Sequence, residues 1–159
     1  MDNILGNIYC LFQSLFGSEL RDHLWGYVCS DGGFGNPNSF NLIGSIMIAV
    51  SLIMAIIYYY IIDSPRFCKR WHWLIMLLIN GIINFGVAAY WTITDMENGV
   101  VQDCLMFLRD TQGDIINILI TKMHCYGFAL ANAIISVFIF FFCSMLIKWG
   151  SNSAKYSPF

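Results

Sequence analysis

Three long stretches that carry almost no charge constrain this chain more than any other feature. Asn41 to Ile62 holds no Asp, Glu, Lys or Arg, and Trp71 to Thr94 holds none either, with His72 near its start. From Ile115 to Trp149 nothing breaks a helix, although Lys122 and His124 lie near the beginning. A hydrocarbon layer ~30 Å thick takes about 20 helical residues to cross. Each stretch is long enough, and in the third Cys125 to Ile147 is the part expected inside the layer. Trp71, Trp73, Tyr90 and Trp91 fall towards the two ends of the second stretch, where aromatic rings anchor at membrane interfaces. Only 11% of the 159 residues are charged and 58% are hydrophobic, against about 25% charged in soluble domains. The length allows one domain at most.

The few charges set an orientation, because cytoplasmic loops collect Lys and Arg. Arg66, Lys69 and Arg70 stand against Asp63 between the first two stretches, and Lys148 and Lys155 stand without an acid at the end. These segments belong inside. Asp2, Glu19, Asp22 and Asp31 stand against Arg21, and five acids between Asp95 and Asp114 stand against Arg109. Those segments belong outside. The outer set with Lys122 sums to −6 and the inner set to +4, which together give the net charge of −2. A fourth span made from Ile4 to Val28 would bury Glu19, Arg21, Asp22 and His23, so three spans are expected.

The N-terminal region is amphipathic, with Ile4, Ile8, Leu11, Phe12, Leu15, Leu20 and Leu24 returning at helical spacing. Asp31 to Asn38, reading D-G-G-F-G-N-P-N, ends that helix with a cluster of turn formers. No strand is expected before these glycines, and their spacing fits no phosphate-binding loop. The resulting prediction is an all-α integral membrane protein with three transmembrane helices, the third long and extending outside, plus an N-terminal interfacial helix. Its segments are an external helix and turn-rich loop at 1–40, a first span at 41–62, a cytoplasmic basic loop at 63–70 and a second span at 71–94. An external acidic loop at 95–114 follows, with a second short amphipathic pattern at Val101, Leu105 and Leu108, then the third span at 115–149 and a cytoplasmic tail at 150–159. No cleavable leader, glycosylation acceptor or prenylation box is expected.

This topology sorts the six cysteines. Cys10, Cys29, Cys104 and Cys125 fall on the outer side, where three pairings are open, and Cys29 with Cys104 is the favoured one. The alternative is that all six are free and simply packed. No C-x-x-C occurs, and His23, His72 and His124 lie in separate segments without ligand spacing, so neither a redox centre nor a metal is expected. No nucleophile sits beside a base and no carboxylate pair lies at membrane depth, so no catalytic residue, cofactor or enzymatic activity is predicted. The charge offers no basic patch for nucleic acid.

Polar residues inside lipid should face other helices or water. On the third span Lys122, Cys125, Ala129, Asn132, Ala133, Ser136, Phe140 and Cys143 share a face at ~100° per residue, opposite Ile134, Ile135, Phe138, Phe141 and Phe142. On the first, Asn41, Gly44, Ser51, Ala55 and Tyr58 share one, and on the second Asn80 and Asn84 lie a turn apart. Two readings compete for these stripes. In one, the small and polar residues pack helices together; in the other, Lys122, Ala129, Asn132, Ala133, Ser136 and Phe140 line a path through a homo-oligomer, with Phe140 as its constriction. The functional expectation is a homo-oligomeric channel, pore or membrane-perturbing effector lined by the third helix. The runner-up is a structural or accessory subunit of a larger membrane complex, docking through its external segments and its tail. Lys122 and His124 could relay protons, but headgroup-level side chains with no such role give the same pattern.

Overall fold

The computed structural model describes residues 4–61 and 70–148. The predicted basic loop, apart from the backbone of Arg70, and the tail from 150 to 159 lie outside the described residues, as does Cys68. The chain is mostly helical and divides into two compact units. Unit 1 comprises residues 1–44 and 86–131, and unit 2 comprises residues 45–85 and 132–159.

The elements run α1 (Ile4–Cys10), α2 (Gln13–Phe16), α3 (Ser18–Trp25), β1 (Tyr27–Val28), β2 (Gly33–Phe34) and α4 (Ser39–Ile56), which ends in a π-helical turn at Ile57–Ile61. They continue through α5 (Arg70–Glu97), α6 (Asp103–Met106), β3 (Phe107–Arg109), β4 (Ile115–Ile118) and α7 (Lys122–Lys148). Three helices are long and apolar enough to cross a membrane, at Ser39–Tyr60, Trp71–Glu97 and Lys122–Ile147, with mean hydropathies of 2.4, 1.8 and 2.4.

Two departures from the predicted helices have physical causes. The third span does not begin at Ile115: Ile115–Ile118 pairs antiparallel with Phe107–Arg109, and α7 starts at Lys122. The β-branched run Ile-Ile-Asn-Ile favours extended backbone, and the turn that returns it contains Gly113 at φ 91°. The chain is therefore not purely α, since β1 and β2 form a second small hairpin. The N-terminal helix is in turn three pieces, with Gly17 at φ 81° between α2 and α3. Its buried face also differs from the predicted one. Tyr9 and Phe16, with Leu20 and Leu24, are buried, while Ile4, Leu11 and Leu15 are exposed.

The breaks let α1 and α2 wrap an aromatic core in unit 1. Tyr9, Phe16, Phe40 and Phe128 are all 0% exposed. Tyr9 lies 5.3 Å from Phe40 and 5.2 Å from Phe128 between ring centroids, and Phe16 meets Phe128 edge-on at 5.4 Å. Pairs of this kind add about 0.5–1.5 kcal/mol each beyond area burial. Backbone closeness makes the core possible, because a Cβ at Gly127 would run into the main-chain carbonyl of Leu15. Burial pushes the Tyr9 phenol pKa above its ordinary value of 10.0.

Around this core the chain is stapled. Cys29 and Cys104 form a disulfide across 75 residues of sequence. Beside it the Gln102 carboxamide works at both ends, its Oε1 accepting from the Cys29 N–H at 2.7 Å and its Nε2 donating to the Tyr27 carbonyl at 3.1 Å.

Unit 2 is helical throughout its described residues. Ala55, Tyr58, Tyr59, Trp73, Phe140 and Cys143 form its apolar core. The adjacent Tyr58 and Tyr59 are both buried within the π-helical turn, whose wider backbone departs from α-helical spacing. Leu52, Ile53, Leu78, Ile82, Phe138 and Phe142 are exposed. Ile135, placed on the lipid side by its angular position, is buried instead.

Candidate functional site

Neutral polar side chains within the candidate spanning helices form a connected ladder in unit 2. Asn80, Asn84, Asn132 and Ser136 are buried, Asn132 at 1% and Ser136 at 0% exposed. The Asn132 Nδ2 donates to the Asn84 main-chain carbonyl at 2.8 Å, and the Asn80 Nδ2 donates to that of Ser136 at 3.2 Å. These two bonds tie α5 to α7 in both directions. Within α5 the Asn84 Nδ2 donates to the Asn80 carbonyl at 3.0 Å and to its Oδ1 at 3.2 Å. The Ser136 hydroxyl donates back to the Ala133 carbonyl at 2.8 Å.

The reason for this arrangement lies in the solvent. Lipid supplies no hydrogen-bond partner, so an amide at this depth is driven onto whatever acceptor the neighbouring helix offers. An α-helical carbonyl has a second lone pair that its own ladder leaves unused. Such interhelical bonds contribute about 0.6–2 kcal/mol each. Ser51 Oγ and Asn84 Oδ1 stay outside the scheme, buried and without a hydrogen-bond partner among the described residues.

The remaining predicted residues are divided between the units. Phe140 is fully buried and packs on the Trp73 ring at 6.1 Å. Ala133 is half-buried and lines an apolar groove of about 310 Å³ with Leu77, Gly81, Ile82 and Val137. Ala129 and Lys122 belong to unit 1, where Ala129 is buried. The Lys122 ammonium donates to Glu97 Oε1 at 2.7 Å, and both side chains are more than half exposed. A pair this exposed is screened by water and contributes little.

Several polar contacts were not foreseen. Trp73 Nε1 donates to Ser144 Oγ at 3.4 Å. In unit 1, His23 Nε2 faces Asp95 Oδ2 at 3.7 Å, beyond hydrogen-bond reach. The i, i+4 spacing of Glu19 and His23 puts both on one side of α3, a signal readable in the sequence, whereas nothing local names Asp95 as the facing group. Among the described residues no group of three His, Cys, Asp or Glu side chains is placed to hold a metal ion. No protein family, curated protein or solved structure matches this chain.

Proposed function

We propose that this protein is a multi-pass membrane component with a structural or accessory role, in which the polar ladder packs helices together and unit 1 supplies the docking surface. The observation carrying this reading is that the Nδ2 amides of Asn80, Asn84 and Asn132 all find acceptors within the chain. A stripe engaged in this way has little left to offer to water. The charge asymmetry supports an external N-terminus and a cytoplasmic C-terminus, with exposed Ile4, Leu11 and Leu15 of the N-terminal helices resting at the outer interface. An Asn132→Cys variant, in a background lacking the other free cysteines, tests this reading. Resistance to an impermeant thiol reagent in the folded protein supports packing, and rapid labelling overturns it.

The second reading is the homo-oligomeric channel or pore lined by the third helix. Ser51 Oγ and Asn84 Oδ1, buried and without a partner among the described residues, favour it, because polar atoms left open in a spanning helix are groups that a file of water would satisfy. Conductance in a planar bilayer, abolished by Ser51→Ala or altered by Asn84→Ala, would establish this second reading over the first.

A further inference from the structure

Unit 1 contains a cavity of about 530 Å³ that neither reading uses, a volume within the ~300–1,000 Å³ range of small-molecule sites. One wall is a face of α3. Arg21, Asp22 and Trp25 line the cavity together, as three- and four-residue helical spacing requires. The opposite wall is the turn-rich segment, which contributes Phe34, Asn36 and Asn38.

The two walls are held in register. The N–H groups of Gly35 and Asn36 both donate to the Gly26 carbonyl at 3.1 Å. Gly26 closes α3 at φ 83°, and a Cβ there would collide with the Asn36 main-chain carbonyl. Asn38 Oδ1 accepts from the Asn41 N–H at 3.3 Å at the start of α4. The D-G-G-F-G-N-P-N run thus becomes a fixed wall facing a helix.

The chemistry of the lining selects against ions. Arg21 Nε and Nη2 both donate to Asp22 Oδ1, at 2.9 and 2.7 Å, and Nη1 donates to Gln13 Oε1 at 3.0 Å. A free anion would compete with Asp22 for the guanidinium, and a free cation would compete with Arg21 for the carboxylate. What the cavity offers without breaking that pair is neutral and of both kinds. Asp22 Oδ2 accepts, the remaining guanidinium N–H groups donate, and the Asn36 amide does both. Beside them stand two aromatic surfaces, the half-buried Trp25 ring and the Phe34 ring at the rim, 67% exposed. A ligand matching this set carries hydroxyls around its edge and C–H groups on its face.

We infer that this cavity binds an uncharged sugar ring. Its hydroxyls bridge Asp22, Arg21 and Asn36 while its C–H face lies against Phe34 and Trp25. The inference is independent of whether the ladder in unit 2 packs helices or admits water.

The test is a saturation-transfer NMR titration of the full chain in lipid nanodiscs. The probes are methyl glycosides of glucose, galactose, mannose and N-acetylglucosamine, with phosphocholine and inorganic phosphate as charged competitors. At least one glycoside should bind at millimolar concentration, undisplaced by either competitor. Asp22→Asn and Phe34→Ala should each weaken it at least about tenfold, equivalent to ~1.4 kcal/mol. Phe34 is mostly exposed, and among the described residues its ring meets only Tyr27 of the same hairpin, at 5.7 Å. Unchanged thermal unfolding of its variant keeps the test valid even if Asp22→Asn does not fold. Three results overturn the inference: no glycoside binds, phosphate or phosphocholine displaces it, or Phe34→Ala leaves the affinity unchanged.

Discussion

Every Asp, Glu, Lys and Arg side chain that the structure describes lies in unit 1, together with both hairpins and the disulfide, whereas unit 2 shows none and is held by buried amides and hydroxyls. Unit 1 closes over four fully buried aromatic rings. Unit 1 joins the hairpins and short helices to parts of the three long apolar helices, and its broken N-terminal segment is held there by rings and a staple. Where lipid surrounds a fold, apolar burial gains little, and close packing with a few polar bonds must orient the helices.

The sharpest way to break this comparison is to remove a ring. Phe40→Ala should cost unit 1 about 3–5 kcal/mol, read as lost amide protection in residues 4–30 by hydrogen-exchange mass spectrometry, with residues 132–147 little changed. A comparable loss of protection in both units would refute the distinction. Next in size, Cys104→Ala should destabilise unit 1 by about 2–4 kcal/mol, measured as a lower midpoint of thermal unfolding followed through Trp25, and dithiothreitol should reproduce it in the wild type alone. Tyr9 supplies a third, pH-dependent test. Because burial raises its folded-state pKa above 10.0, the stability it contributes is intact below pH 10. It is then lost as the unfolded chain ionises first, at about 1.4 kcal/mol per pH unit. Tyr9→Phe should flatten that alkaline slope, and an unchanged slope would remove Tyr9 from the account. The smallest effect belongs to unit 2. Asn132→Ala should cost about 0.6 kcal/mol, seen as a small drop in the detergent-solubilised melting temperature, while Asn84→Ala, whose carbonyl remains, should leave the Asn132 bond in place.

The three long helices were legible because charge-free length is a one-dimensional property, and Ser39–Tyr60, Trp71–Glu97 and Lys122–Ile147 lie close to the charge-free runs. Strand β4 was not, since Ile115–Ile118 continues an apolar run with no breaker before α7. The β-branched triplet and the Gly113 turn before it were the available signals. Periodicity placed Asn132 and Ser136 on one face of the third helix, and angle alone said nothing of whether that face met water or a carbonyl. The N-terminal stripe failed where polar-tipped Tyr9 entered the core in place of the more apolar Ile8 and Leu11. Aromatic packing partners up to 119 positions away decided that choice.

Neither unit is a continuous piece of chain, and this has a consequence for biosynthesis. Residues 1–44 share their compact unit with residues 86–131. At about 5–20 residues per second, the N-terminal segment emerges roughly 4–17 s before its partner segment is complete. During that interval Tyr9, Phe16 and Phe40 have no Phe128 to meet, and Cys29 has no Cys104. A nascent chain stalled near residue 100 should therefore be recognised by holdase chaperones or cut by proteases, whereas the full-length chain released from the ribosome should not.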